Sequence, residues 1–190
     1  MNRGIHVAES AFEVVDGATL AIEQKIRFSS GKALHKFGGG TLCLAGALDL
    51  SQNSNPTISV EAGGIQAGST NSFQNTTVAF SGDGYLLADY TATGDVATYG
   101  LFNTAATPFV LNAQGLLPVK FRNVPEDVAN GAMVPILTVN ALAADALRGK
   151  LALGKPRKGF AAVVEERVNA DGSVTFLASL YRTGVLIMVF

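Results

Sequence analysis

Lys36-Phe37-Gly38-Gly39-Gly40-Thr41-Leu42-Cys43-Leu44-Ala45-Gly46 is the stretch that decides the fold. Three successive glycines permit a tight corner, where positive φ or close backbone approach is needed. Thr41 then opens a strand. Leu42 and Leu44 fall on one side of that strand and Cys43 on the other, because side chains alternate along extended chain. The same alternation recurs downstream as Ile58 and Val60 about Ser59, and as Val78 and Phe80 about Ala79. Strand centres near Leu20, Leu42, Ser59 and Val78 fall about 17–22 residues apart, which suits one coil of a solenoid stacking on the last. An antiparallel β-sandwich also has regularly spaced short strands, commonly about 8–12 residues apart.

Working outward, further apolar or alternating runs lie at Thr19 to Ile22, Ile26 to Phe28, Gly64 to Ala67, Tyr85 to Tyr90, Phe109 to Asn112, Val119 to Arg122 and Met133 to Val139. Gly, Ser, Asn and Asp punctuate them at Ser29 to Gly31, Ser51 to Pro56, Gly68 to Asn71 and Ser81 to Gly84. One short helix is expected within Val139 to Leu147, with Leu142, Ala146 and Leu147 on its apolar face. Phe160 to Val168 and Ser173 to Tyr181 flank Asn169-Ala170-Asp171-Gly172, a β-hairpin signal. A final strand is expected over Val185 to Phe190. The composition shifts near Val124-Pro125, which divides the chain into coils over 1–123 and a cap over 124–190. The expected fold is therefore all-β: a right-handed parallel β-helix with a carboxy-terminal antiparallel hairpin as cap.

Composition agrees with this reading. The 190 residues include 21 Gly, 48% are hydrophobic and only 15% are charged. With 14 basic against 15 acidic residues the net charge is −1, so the electrostatic drive toward nucleic-acid phosphates is missing. Cys43 is the single cysteine; it cannot form an intrachain disulfide and reads as a small packing group. Met1 to His6 leads into no apolar segment of about 7–15 residues, and no run of about 18 apolar residues occurs. The chain is therefore expected to be cytoplasmic or a piece of something longer, without membrane insertion.

The quoted stretch resembles the passenger-associated strand repeat of bacterial autotransporter-like proteins. Lys36, Gly38, Gly40, Thr41, Leu42, Leu44 and Gly46 match its pattern of Lys, spaced glycines, Gly-Thr-Leu, an alternate Leu and a closing Gly. Gly17 to Ile22 looks like the preceding coil, so the clear resemblance covers Gly17 to Gly46, with a looser echo to Tyr90. Neither a secretion signal nor an outer-membrane barrel of about ten-residue spanning strands accompanies it. The resemblance implies the carboxy-terminal part of a longer surface β-helix protein, extracellular or at the cell surface.

Sites for chemistry are sparse. Glycoside cleavage needs two carboxyl groups about 5–10 Å apart; Asp83, Asp89 and Asp95 are the densest acids, and Asp83 and Asp89 read as solvated turn or strand-end residues. No Asp-rich calcium loop is present. His6 and His35 lack partners at ligand spacing, and His35 reads as an exposed corner residue. Gly38 to Gly40 feeds a strand, so it is no phosphate cradle at a helix start. Lys150, Lys155, Arg157 and Lys158 read as a solvated basic loop. No catalytic, metal or cofactor site is expected.

The resulting expectation is a non-enzymatic structural or adhesive segment, with a surface glycan or protein as ligand, through side loops such as Ser69 to Gln74. Its first coil, Met1 to Val15, is expected to be uncovered, so that either further coils precede it or the chain self-associates through it. The alternatives are a polysaccharide-active β-helix enzyme using Asp83 or Asp89, and a carbohydrate-binding β-sandwich.

Overall fold

Short alternating segments cut by glycine become stable strands only when their backbone donors and acceptors find partners. Here most of those partners are parallel. The structure is a computed structural model, and it describes residues 5–7, 10–45, 48–49, 56–67, 76–90, 101–102 and 109–184. The described residues are mostly β, with a large parallel sheet, a mainly antiparallel sheet and one short helix. Among the predicted features, Gly46, Asp95, the Ser69 to Gln74 loop and the Val185 to Phe190 strand lie outside the described residues.

The first strands are β1 (Ile5–Val7), β2 (Ser10–Glu13), β3 (Thr19–Ile22), β4 (Ile26–Phe28), β5 (Ala33–Phe37), β6 (Thr41–Leu44) and β7 (Leu48–Asp49). Two long strands follow, β8 (Thr57–Ala67) and β9 (Thr77–Asp89), then β10 (Leu101–Phe102), β11 (Phe109–Val110) and β12 (Leu117–Arg122). Partners recur in three rows. β1, β4 and β7 form one, with Ile5 beside Ile26 and Ile26 beside Leu48. Ser10, Leu34, Ile58, Val78 and Phe109 form the second, through β2, β5, β8, β9 and β11. Leu20, Leu42, Ile65, Leu86 and Val119 form the third, through β3, β6, β8, β9 and β12. Each early step in these rows advances the sequence by 20 to 24 residues.

Two details correct the sequence reading. Leu42 lies beside Ile65, whereas Ile58 lies beside Leu34 and Val78. The regular spacing of Leu20, Leu42, Ser59 and Val78 therefore joined two different rows. The cause is β5, whose Leu-His-Lys-Phe run has no simple apolar alternation and gave no strand signal. In addition, Ser81 to Gly84 is not a break between strands. It lies inside β9, where the register shifts opposite Val60 to Ala62, and a shift of this kind bends a strand without ending it. β2 and the later β14 (Leu151–Leu153) were also absent from the sequence reading.

Alternation nevertheless predicts the core. Leu42, Leu44, Ile58, Val60 and Val78 are 0% exposed and Phe80 is 3%, while Cys43 and Ser59 between them are half-buried. They belong to one apolar cluster running from Ile22 to Leu180.

Beyond Arg122, β13 (Ala132–Val139) pairs antiparallel with β16 (Val174–Arg182), which pairs antiparallel with β15 (Phe160–Val168). The predicted hairpin thus forms, closed over Asp171 and Gly172. The helix α1 (Ala141–Leu147) starts at Asn140, whose side chain accepts from the Ala143 amide. It buries Ala143, Ala144 and Leu147, while Leu142 is 67% exposed and Ala146 is also exposed. Of the expected apolar face only Leu147 is buried, and Ala143 and Ala144 take the places expected of Leu142 and Ala146. β14 then returns to the parallel sheet beside β12.

Candidate functional site

The glycine corner after β5 holds an unusual group. Lys36 takes an inward position, in a row with Phe12, Val60 and Phe80, and is 0% exposed. Its Nζ donates to the carbonyls of Phe37 at 2.7 Å, Gly38 at 2.6 Å and Ala62 at 2.8 Å. An ammonium group has three hydrogens, and all three are used. Burial lowers its pKa from the ordinary lysine value.

The backbone closes around this ammonium so tightly that side chains are excluded. A Cβ on Gly63 (φ +74°) would lie 2.3 Å from the Gly40 oxygen, 2.4 Å from that of Gly38 and 2.7 Å from Lys36 Nζ. One on Gly38 would lie 2.4 Å from the Val14 oxygen, and one on Gly40 2.2 Å from that of Val15. Lys36, Gly38 and Gly40 of the sequence motif therefore act together at one corner, and Thr41, Leu42 and Leu44 begin the buried strand that leaves it. A sealed ammonium with every hydrogen engaged is a structural group and meets no substrate.

A second polar group crosses the third row of strands. Asp89, at the end of β9, is 6% exposed. It accepts from Arg122 Nε at 2.9 Å and Nη2 at 2.6 Å, and from Asn123 Nδ2 at 2.9 Å. The same guanidinium reaches Gln66 Oε1 at 2.7 Å and Thr19 Oγ1 at 3.0 Å. Asp89 is therefore not a solvated strand-end residue; β12 runs beside it and supplies a cation at the same register. Cys43 lies within the field of both charges, and burial raises its thiol pKa.

In front of this network is a cleft of about 260 Å³ lined by Asp16 to Thr19, Gly39 to Thr41, Tyr85, Leu87 and Lys120 to Arg122. Beside the cleft, Tyr85 and Thr41 pack directly over Gly64; a Cβ there would lie 2.8 Å from the Tyr85 ring and 3.0 Å from Thr41 Oγ1. Lys120 Nζ sits 4.0 Å from the centre of the Tyr85 ring, a cation–π contact. No single short motif could have revealed this cleft, since its walls come from four strands and two turns.

The remaining candidates are dispersed. Asp83 is exposed at the bend in β9. Asp89 lies six residue steps further along the strand, about 20 Å at ~3.3 Å per step, which is too far for a glycosidase pair. His35 stands within β5 and not at a corner; its Nδ1 lies 3.1 Å from Glu61 Oε1, and its ring stacks on Phe37. In the basic loop, Arg157 pairs with Glu126 at 2.9 Å, while Lys155 and Lys158 edge a separate cleft of about 330 Å³ with Phe160 and Thr183. Among the described residues no group of His, Cys, Asp and Glu could hold a metal ion, and no helix is long and apolar enough to cross a membrane. No family model, curated protein or solved structure matches the chain.

Proposed function

We propose that the chain is a segment of a right-handed parallel β-helix with a non-enzymatic structural and adhesive role on a bacterial surface protein. The supporting observation is the three rows of parallel partners that advance together by 20 to 24 residues. A chain that visits three rows in turn and returns one strand further on winds as a coil, and parallel crossovers are right-handed in about 98% of cases. The strand-repeat resemblance at Lys36 to Leu44 points the same way, since its lysine and glycines sit together at one corner. Asp83 and Asp89 stand too far apart for paired-carboxylate chemistry, which favours binding over turnover. The outer edges of β1, β2 and β3 have no strand partner among the described residues, which supports association or continuation through that end.

Incubating the chain with a polysaccharide and matrix-protein panel, while measuring retained and released material, tests the reading. Retention without new reducing ends is expected. Turnover that Asp83→Asn abolishes would overturn it.

A further inference from the structure

We propose that the cleft between the Asp16 to Thr19 turn and β12 binds one pyranose unit of a glycan through its hydroxyl groups, an inference that rests on the adhesive reading above. Its volume, about 260 Å³, lies just under the range of about 300–1,000 Å³ typical of drug-sized ligands, so it suits a single small unit. Its charges select the chemistry. Arg122 is neutralised by Asp89 and fixed by Gln66 and Thr19. That leaves Lys120 and Asp16, which both line the cleft, as charges of opposite sign.

A simple anion drawn to Lys120 meets Asp16, and a simple cation drawn to Asp16 meets Lys120. A hydroxyl both donates and accepts, so a polyol satisfies both groups at once. Asp16 accepts from the sugar and Lys120 donates to it, with Thr19 and Thr41 also among the lining residues. A flat aromatic ligand is disfavoured, because Lys120 already covers the Tyr85 face. The Arg122 to Thr19 bond is already made beside the cleft, and a wall residue held in place before binding lowers the ordering cost.

The test is backbone NMR on the full chain titrated with D-galactose, D-glucose, D-galacturonate and sodium acetate. The expected result is hexose-dependent shifts at Gly17, Gly40 and Thr41, with acetate inert. Asp16→Asn and Lys120→Met, each shown to be folded by circular dichroism, should weaken binding at least about tenfold, as expected for losing one hydrogen bond to a charged group. Acetate reproducing the shifts, undiminished binding in both variants, or no saccharide-dependent shift would overturn the proposal. Saccharide shifts confined to residues outside the cleft would also overturn it while leaving the adhesive reading intact. Cleavage of a polysaccharide would instead remove the reading beneath it.

Discussion

Lys36 directs all three of its ammonium hydrogens at carbonyl oxygens, two on its own strand end and one on the next strand. Replacing it by Met keeps the apolar stem and removes the donors. Three inward carbonyls then lose their partner, at about 1–3 kcal/mol for each that water cannot reach. Lys36→Met is expected to lose about 3 kcal/mol or more in chemical denaturation. The pH dependence follows from the lowered pKa. Between that lowered value and the ordinary 10.5, the unfolded chain binds more protons than the folded one, so the Lys36 contribution to stability rises with pH. The rise should be absent from the Met variant. Gly63→Ala meets three atoms at 2.7 Å or less in a positive-φ conformation and should cost at least about 3 kcal/mol. Gly172→Ala, with φ +81° and open space around it, should cost only about 1–2 kcal/mol. Burial of Leu42 and Leu44 was legible because alternation is local. The Lys36 cage was not, since the Ala62 carbonyl arrives from 26 residues away.

At the scale of elements, the β15–β16 hairpin is the clearest case of local information deciding structure. Asp171 Oδ1 accepts from the Ser173 hydroxyl at 2.6 Å and the Ser173 amide at 2.9 Å. Those bonds, the hydroxyl first, hold its carboxyl below the ordinary value of 3.8. The folded pKa being depressed, the stabilisation is complete above the ordinary carboxyl range and is lost as pH falls through the lower folded value. Protection of the Asn169 amide, which donates to the Ser173 carbonyl at 2.8 Å, should therefore fall on acidification when exchange is scaled to the unfolded-chain rate, and Asp171→Ala should remove that acid step. Elsewhere the elements hid themselves for physical reasons. β5 carries Leu34 and Lys36 inward, and a buried lysine breaks any apolar count. β9 continues through Ser81-Gly82-Asp83-Gly84, residues that usually end a strand; here they accommodate a bend while parallel pairing resumes on both sides.

Across the whole molecule, Arg122 links β12 to β9 through Asp89, to β8 through Gln66 and to β3 through Thr19. Removing one partner strands the other. Asp89→Ala is expected to cost about 2–3 kcal/mol, discounted from the ~3–5 kcal/mol of a fully buried pair because Arg122 is partly exposed. Pairing it with Arg122→Met in a double-mutant cycle should reveal a coupling above about 1 kcal/mol. The repeated architecture was only partly visible in the sequence, because the advance between partners is not constant. It lengthens to 33 residues from Leu86 to Val119 and 34 from Val119 to Leu153, as connections absorb residues while register stays fixed. The sealed corner at Lys36 has one more consequence, for chemical labelling. An acylating reagent needs a free amine, and this one is reachable only after β5 and β8 part. Exposed Lys120, Lys155 and Lys158 should be modified quickly, and Lys36 only at the frequency with which the strands open. Mass spectrometry of that single amine would then clock how often the protein breathes.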